Sequence, residues 1–166
     1  SYHNGAGKWN VGSPSRWGTE LHPWRASGEF ILVLPQRGIG PSGIAMPRNW
    51  QHGITQKLAS RTKRTIKVRA HPGQNKLAYD VYSAFKNVHA VVTWGSGAAI
   101  KALHAGIPVF YEFNRWIGAS ASLTLDGADI ERPYLGNRLP MFQRLAWAQW
   151  SLKEIETGEA FAWHLR

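Results

Sequence analysis

The sequence predicts an α/β fold, a three-layer Rossmann-like domain with a parallel sheet of about four to five strands. Its 166 residues are enough for one domain with a sizeable core. Short apolar runs, of which Phe30–Leu34 is the clearest, are typical of strands buried on both faces of a parallel sheet. Helical patterns separate these runs, which favours right-handed βαβ crossovers.

The predicted elements alternate from residue 29 onward. They are strand 30–34, helix 48–60, strand 65–70, helix 75–87, strand 90–93, helix 97–105, strand 107–111 and a last helix at 140–157. Residues 114–137 carry no sustained period and are predicted to form a loop. Residues 1–28 are rich in Gly, Ser, Asn and Trp, which predicts an irregular arm that packs Trp24 and its other tryptophans onto the domain. The Rossmann-like domain is therefore assigned to residues 29–166.

The composition of the chain limits the kinds of partner and site that it can have. Twenty Lys and Arg against ten Asp and Glu leave a net charge of +10, which favours nucleic acid, sugar nucleotides or an acidic membrane surface, or serves solubility alone. The absence of cysteine excludes disulfides, thiolate metal sites and cysteine nucleophiles. No apolar run approaches the ~20 residues of a membrane span, and no signal peptide is recognisable. These features predict a cytoplasmic protein, and the start at Ser1 predicts a processed chain or a fragment.

Ligands of parallel sheets bind beyond the carboxyl ends of the strands, so the loops there hold the candidate site residues. The first loop contains Gln36, Arg37 and a G-x-G-x-x-G pattern at 38–43. Pro41 removes one N–H from that pattern, and no acidic residue ends the second strand, so a dinucleotide site is disfavoured. Either the glycines only set the direction of the chain, or they let a ligand approach while Gln36 and Arg37 face it.

The second loop follows the strand at 65–70 with His71, Pro72 and Gly73. Pro72 ends the strand and Gly73 permits a sharp exit. An imidazole held at this point can donate a hydrogen bond to a phosphate oxygen. The alternative is a surface histidine in a turn.

The third loop, Thr93-Trp94-Gly95-Ser96-Gly97, places small residues where a helix begins. Ser96 can cap that helix, which explains the residue structurally. The same geometry offers the Ser96 hydroxyl and the Gly95 and Gly97 amides to an anion such as phosphate. Gly106 is predicted to end the helix as a C′ glycine.

Acidic and metal-ligating candidates are few. Glu112 follows the fourth predicted strand, where its carboxylate can reach a ligand ribose. The histidine spacings match no zinc motif, so no metal is expected, and no G-x-S-x-G motif is present. Catalytic residues are not identified. A basic cluster, Arg61, Lys63, Arg64, Lys67 and Arg69, is either a solvated helix end or a contact for a polyanion such as DNA or RNA.

Three motifs in order, Leu34-Pro35-Gln36, Ala70-His71-Pro72-Gly73 and Thr93-Trp94-Gly95-Ser96-Gly97, resemble the nucleotide-sugar half of GT-B glycosyltransferases. The likeness covers about residues 29–158 and is nearest to capsule-polysaccharide transferases of the Kdo and sialic acid type. It implies that a His-Pro motif at 71–72 and a serine motif at Ser96 hold a CMP-sugar, which is a substrate and not a cofactor. The first loop reads Pro-Gln where that family has a Gln-Pro-like pair, so Gln36 matches it only weakly.

The resemblance also implies what else the chain needs. GT-B enzymes have two Rossmann-like domains, and this chain has room for one, so a partner domain or a homo-oligomer is expected to complete the site. Alternatively the chain is a fragment, or it retains the fold without the reaction. The expected acceptor is a glycan or DNA, and a phage genome is a natural source. The alternative function, from another class, is a non-catalytic basic module that binds nucleic acid or protein.

Overall fold

A computed structural model of the chain describes residues 20–71 and 80–164. It confirms the predicted α/β class: a five-stranded parallel sheet is flanked by helices. The chain divides into two compact units. One comprises Leu21–Arg138 and holds the whole sheet, and the residues from Leu139 onward belong to the other.

The sheet contains β1 (Phe30–Leu34), β2 (Thr65–Val68), β3 (Val88–Thr93), β4 (Val109–Tyr111) and β5 (Leu123–Thr124). Their order in space is β2-β1-β3-β4-β5, and every neighbouring pair is parallel. Every residue of β1, β3 and β4 is buried, as their apolar runs predicted, whereas the edge strand β2 is mostly exposed. The loop prediction for 114–137 is wrong at β5, a two-residue strand with no apolar run of its own.

Helices α1 (Trp50–Ala59) and α2 (Ala98–His104) connect β1 to β2 and β3 to β4. Alternate residues of the strands meet α1 in one core cluster, and the intervening residues point to the opposite face. The fully or nearly buried members of that cluster are Ile31, Val33, Trp50, Ile54, Leu58, Ala90, Val92, Phe110, Leu125 and Ile130. Helix α2 packs against β3 and β4.

The helix predicted at 75–87 is corrected in its described part. Residues Val81–Phe85 form a 3-10 helix, and residues 72–79 lie outside the described part of the chain. The Asp80 carboxylate accepts a hydrogen bond from the Val81 N–H at 2.6 Å and so caps this short turn. Asn87, with φ of 59°, ends it just before β3.

The single helix predicted at 140–157 is also corrected, because this stretch holds two helices and a third follows. These are α3 (Leu139–Ala148), α4 (Leu152–Glu156) and α5 (Glu159–His164). Ser151 begins α4 with a capping box, in which its hydroxyl accepts from the Glu154 N–H and the Glu154 carboxylate accepts from the Ser151 N–H. The reciprocal cap stabilises a new helix start and thereby separates α4 from α3.

The segment 21–28 is anchored on the sheet unit, which confirms the packing predicted for Trp24. Its indole N–H donates to the Gly136 carbonyl at 2.9 Å, and the Arg138 guanidinium lies 4.0 Å over its ring. The N–H of Arg25 donates to the Gly106 carbonyl at 2.7 Å. Residues 1–19, including the other arm tryptophans, lie outside the described part.

Gly106 ends α2 as predicted. Its φ is 76°, its N–H donates to the Leu103 carbonyl at 3.2 Å, and the Ile107 N–H donates to the Ala102 carbonyl at 2.9 Å. These are the two bonds of a Schellman motif. A side chain at this position would also collide with the backbone of Pro23. Two requirements for glycine therefore coincide at this position.

His89 lies at the start of β3 and is only 3% exposed. Its Nε2 is 3.1 Å from the Ile130 carbonyl, and its Nδ1 has no hydrogen-bond partner among the described residues. Burial lowers the pKa of His89, and the nearby Arg64 lowers it further, against weaker opposing effects of Ile130 and Glu131. His89 is therefore neutral at pH 7, and it donates its Nε2 proton to Ile130.

We expect the free energy of unfolding to fall as the pH drops below about 6.5, the usual histidine pKa. The folded state holds the pKa of both His89 and His104 below that value, mainly through burial, so the unfolded chain binds more protons in this range. Each histidine then contributes a slope of up to about 1.4 kcal/mol per pH unit. Urea unfolding at a series of pH values measures this slope.

The matched variant is His89→Gln, whose amide can still donate to the Ile130 carbonyl but does not titrate. We expect this variant to lose less free energy of unfolding than the parent chain as the pH drops below about 6.5. An unchanged slope in His89→Gln contradicts the assignment. Glu131 does not confuse the result, because the hydrogen bond from Arg64 lowers its pKa and its effect appears only in a more acidic range.

Candidate functional site

The strand order defines a crevice at the carboxyl ends of β1 and β3. The strand order β2-β1-β3-β4-β5 is that of a doubly wound sheet. The connection after β1 leads to β2 on one side of β1, and the connection after β2 returns the chain to β3 on the other side of β1. Loops diverge at such a switch point, and ligands of open α/β sheets bind there. The β1 loop (35–49) and the β3 loop (94–97) border this crevice.

The two loops are joined by direct hydrogen bonds. The Gln36 side-chain amide donates to the Gly95 carbonyl at 3.2 Å, and the Trp94 indole N–H donates to the Ile44 carbonyl at 3.1 Å. Beneath them, the buried Thr93 hydroxyl donates to the Leu34 carbonyl at 2.9 Å. The walls of the crevice are therefore connected through side chains as well as through the sheet.

Ser96 lies one residue before Gly97, which is the N-cap of α2. Ser96 is 6% exposed, and its hydroxyl oxygen accepts from the Ala98 N–H at 3.1 Å. The Ser96 N–H in turn donates to the Thr93 hydroxyl at 2.9 Å. The prediction that Ser96 is the cap is therefore corrected: α2 begins at Ala98, so Gly97 is the N-cap and Ser96 bonds the first helical N–H from the position before it. The hydroxyl hydrogen of Ser96 has no acceptor among the described residues.

The two glycines beside Ser96 contribute backbone donors. Neither the Gly95 nor the Gly97 N–H has an acceptor within the described ranges. Gly97 is exposed, and the space where a side chain would stand is open. Gly95 instead packs against Phe113, whose side chain would lie 3.2 Å from an added Cβ. Three consecutive residues thus offer two amides and one hydroxyl, which are donors of the kind that an oxyanion accepts.

Helix α2 adds little to this set through its dipole. It has seven residues, about two turns, so its macrodipole is weaker than that of a long helix. Arg37, which lies in the β1 loop and is exposed, supplies a cation on a long side chain at the same end of the sheet. Individual donors and this charge, rather than the helix as a whole, determine what the crevice can hold.

Aromatic side chains line the other side of the β3 loop. The ring of Trp94 stacks on that of Phe113, with centroids 5.9 Å apart and an interplanar angle of 27°. The Phe113 N–H donates to the Trp94 carbonyl at 2.8 Å, which holds the segment that follows β4 against the β3 loop. Sequence reasoning missed this pair. The tryptophan beside the glycines was a visible signal, whereas its partner depends on the path of the chain after β4.

The glycine pattern at 38–43 differs in its geometry from a dinucleotide fingerprint. Gly38, Gly40 and Gly43 all have positive φ, so they set the direction of the β1 loop. A dinucleotide fingerprint opens directly into a helix whose N-terminus faces the pyrophosphate. Here α1 begins only at Trp50, so the β1 loop does not open directly into a helix.

His71 lies on the other side of β1 from the β3 loop. It is exposed, and it follows β2 by three residues. Because neighbouring strands are about 4.8 Å apart, β2 and β3 are separated by about 10 Å. A ligand that touches both His71 and Ser96 must therefore span the end of β1. Pro72 and Gly73 lie outside the described residues.

Glu112 follows β4, as predicted, but its carboxylate is already engaged by the protein. One oxygen accepts from the Trp50 indole N–H at 2.7 Å, and the other lies 3.0 Å from the Lys57 ammonium. Lys57 also contacts Asp126 at 3.2 Å. Burial lowers the pKa of Lys57, but the bonds to both carboxylates outweigh it and raise the pKa overall. Glu112 thus joins α1 to β4 in a structural network.

The residues that the structure describes contain no cluster of three or more His, Cys, Asp or Glu able to hold a metal ion. Among the same residues, no helix is both long and apolar enough to cross a membrane. Two open grooves are lined by described residues, and neither includes the β1 or β3 loop.

Comparison with known proteins adds no assignment: no family model, curated protein or solved structure matches the chain. Function must therefore be inferred from the chemistry of the site itself.

Proposed function

We propose that this chain binds the nucleotide part of a sugar nucleotide, a CMP-sugar, at the β1/β3 switch point, as the donor domain of a glycosyltransferase. The observation that carries the proposal is the set of donors in the β3 loop: the Gly95 and Gly97 amides and the Ser96 hydroxyl hydrogen have no acceptor in the described structure. A phosphate with its several oxygens can accept all three.

The remaining contacts follow from the same loops. Arg37 supplies a positive charge to the phosphate, and the face of Trp94 offers a surface on which a base or sugar can stack. Gln36 keeps one amide hydrogen and its carbonyl oxygen available while it bonds to Gly95. In transfer of the sugar, these donors stabilise the negative charge on the departing nucleotide phosphate.

The acceptor and the base that activates it belong to a second component. The acceptor is a glycan or DNA, and a partner domain or a second copy of the chain covers the open side of the crevice. His71 contributes from the end of β2 if the ligand spans β1. Glu112 is assigned to structure, because both of its oxygens are bonded to α1.

Thermal unfolding against CMP, CDP, UDP, GDP, NAD and a short DNA duplex tests this function. A ligand that binds only the folded state stabilises it by about 2.7 kcal/mol at 100 times its dissociation constant. We expect a selective rise of the melting temperature with CMP. The proposal is contradicted if the melting temperature rises only with NAD or GDP, or if no nucleotide raises it.

Gly97→Pro and Gly97→Ala form a matched pair for this test. The φ of Gly97 is −61°, which proline adopts without strain, so Gly97→Pro removes the N–H at a tolerated position. Gly97→Ala retains the N–H. Because a hydrogen bond to a charged group contributes about 1.5–3 kcal/mol, we expect Gly97→Pro to weaken CMP binding by about 10- to 100-fold. Equal affinities of the two variants would argue against a phosphate at this loop.

Ser96→Ala and Ser122→Ala provide a second comparison. Both serines are buried, but the Ser122 hydroxyl has no hydrogen-bond partner among the described residues and lies before β5, away from the crevice. We expect weaker CMP binding in Ser96→Ala and unchanged binding in Ser122→Ala.

A further inference from the structure

Two open grooves run along the side of the sheet unit that carries the edge strand β2. The α1–β2 groove, with a volume of about 770 Å³, is lined by residues 59–65 together with Glu29 and Glu131. The β2-edge groove, with a volume of about 490 Å³, lies on the sheet face between β2 and the 3-10 helix. Glu29 lines both grooves, so they lie next to each other at this residue.

The linings are strongly basic. Six basic residues face two acidic ones across both grooves: Arg61, Lys63, Arg64, Lys67, Arg69 and Lys86 against Glu29 and Glu131. Five of the six form the basic cluster visible in the sequence. The structure adds Lys86, which follows the 3-10 helix and lies across the β2-edge groove from the strand.

The acidic residues are already bonded to the protein. The Glu131 carboxylate is 2.8 Å from the Arg64 guanidinium and also accepts from the Thr62 hydroxyl at 2.6 Å. Glu29 accepts from the Asn87 amide at 3.0 Å. Arg64 is thereby committed to structure, and the exposed ammonium groups of Lys63, Lys67 and Lys86 have no carboxylate within 4.0 Å among the described residues.

The geometry of β2 spaces the positive charges regularly. Side chains on one face of a strand recur about every 6.7 Å. Lys67, in β2, and Arg69, one residue beyond its end, are separated by one such step and line the same groove. The Lys67 ammonium lies 3.9 Å over the Phe30 ring, which orients that side chain. Ser83 and Asn87 line the same groove and offer neutral polar groups between the charges.

We propose that the two grooves together bind the phosphodiester backbone of a nucleic acid. The binding surface is long, open and polar, which suits a polyanion that follows the groove better than a small enclosed ligand. Val68 is the large apolar side chain most exposed along it, at 40%, so the surface lacks the apolar area that insertion into a lipid bilayer needs. This inference is independent of the proposed nucleotide site, since neither groove includes the switch-point loops.

Recognition at this surface is independent of base sequence. The lysines contact phosphates, which carry charge but no sequence information, and no described residue of the grooves is an exposed aromatic ring. Affinity must therefore fall steeply with salt as counterions are released.

Fluorescence anisotropy with a labelled oligothymidylate of about 20 nucleotides tests the proposal on the full chain. The titration is repeated between about 50 and 200 mM KCl, and with a duplex of similar length. The test variant replaces Lys63, Lys67 and Lys86 with glutamine. The control variant replaces Arg48, Arg115 and Lys153, which are also exposed, and so removes the same charge elsewhere.

We expect the groove variant to bind at least about tenfold more weakly at 100 mM KCl, with the slope of log K against log salt reduced by about 2. The control variant should stay within about threefold of the parent chain. Lysine-to-arginine changes at the three groove positions retain the charge and should retain binding. An unchanged melting temperature of the glutamine variant shows that its loss of binding does not reflect misfolding.

The proposal would be overturned if neither oligonucleotide binds at about 50 mM KCl. It would also be overturned if the groove and control variants lose affinity equally, or if the groove variant keeps the salt slope of the parent chain. Binding of heparin or of phosphatidylglycerol vesicles without binding of an oligonucleotide would also overturn it. Failure of this experiment leaves the CMP measurement unaffected, because the changes at Lys63, Lys67 and Lys86 do not alter the β1 or β3 loop.

Discussion

Replacing Gly106 with alanine is expected to lower the free energy of unfolding by at least ~2 kcal/mol. Two costs add at this position. The residue has φ of 76°, a left-handed conformation that costs an L-residue about 1–2 kcal/mol, and an added Cβ would collide with the Pro23 carbonyl. The bond from Arg25 to the Gly106 carbonyl, which holds segment 21–28 on the sheet unit, is lost if the backbone moves to avoid the collision.

Gly127→Ala is the matched control. Gly127 has nearly the same φ, 71°, and lies in the same unit, but nothing stands within 4 Å of its added Cβ. It should therefore show the conformational cost alone, about 1 kcal/mol. Urea unfolding of the two variants measures the difference. Equal destabilisation would show that segment 21–28 does not press on Gly106 in solution.

The second large effect is expected for Glu112→Ala. This change leaves the buried Trp50 indole N–H without its acceptor and Lys57 without its nearer carboxylate. A buried donor that loses its partner costs about 1–3 kcal/mol, so we expect the free energy of unfolding to fall by roughly that amount. The loss should appear as a lower denaturation midpoint with an unchanged m-value.

Glu112→Gln separates structure from ligand contact. The amide oxygen can still accept from Trp50, so this variant should lose less stability than Glu112→Ala, and it should bind CMP as the parent chain does. If Glu112→Gln folds normally and loses CMP binding, the carboxylate contacts the ligand as the sequence alone predicted. A purely structural role for Glu112, as the link between α1 and β4, would then be wrong.

The strands of the fold could be predicted from the sequence where all of their residues are buried. Strands such as Phe30–Leu34 are apolar throughout because a parallel sheet covers them on both faces, and the structure confirms them. The two-residue β5 was not readable, since it is a strand only through its pairing with β4. The break between α3 and α4 had a signal, the Ser151-x-x-Glu154 pattern of a capping box, which the periodicity of the helix obscured.

The site was readable in part for a similar reason. The Gly95-Ser96-Gly97 turn carries a local geometry, and in the structure the Ser96 hydroxyl accepts from the Ala98 N–H, although Gly97 is the N-cap. The bond from Gln36 to Gly95 and the stacking of Trp94 on Phe113 join loops that are distant in sequence. Only the strand order brings these loops together, and a single sequence specifies that order through tertiary packing rather than through any local pattern.

The most direct test of nucleotide binding at the switch point is a titration of the isotopically labelled chain with CMP, followed by amide chemical shifts. We expect the largest changes at Gly95 and Gly97, with smaller ones along the β1 loop. The chemical shifts of amides in the β2-edge groove should not change. Shifts confined to that groove, or no saturable shift at the β3 loop, would contradict nucleotide binding at the switch point.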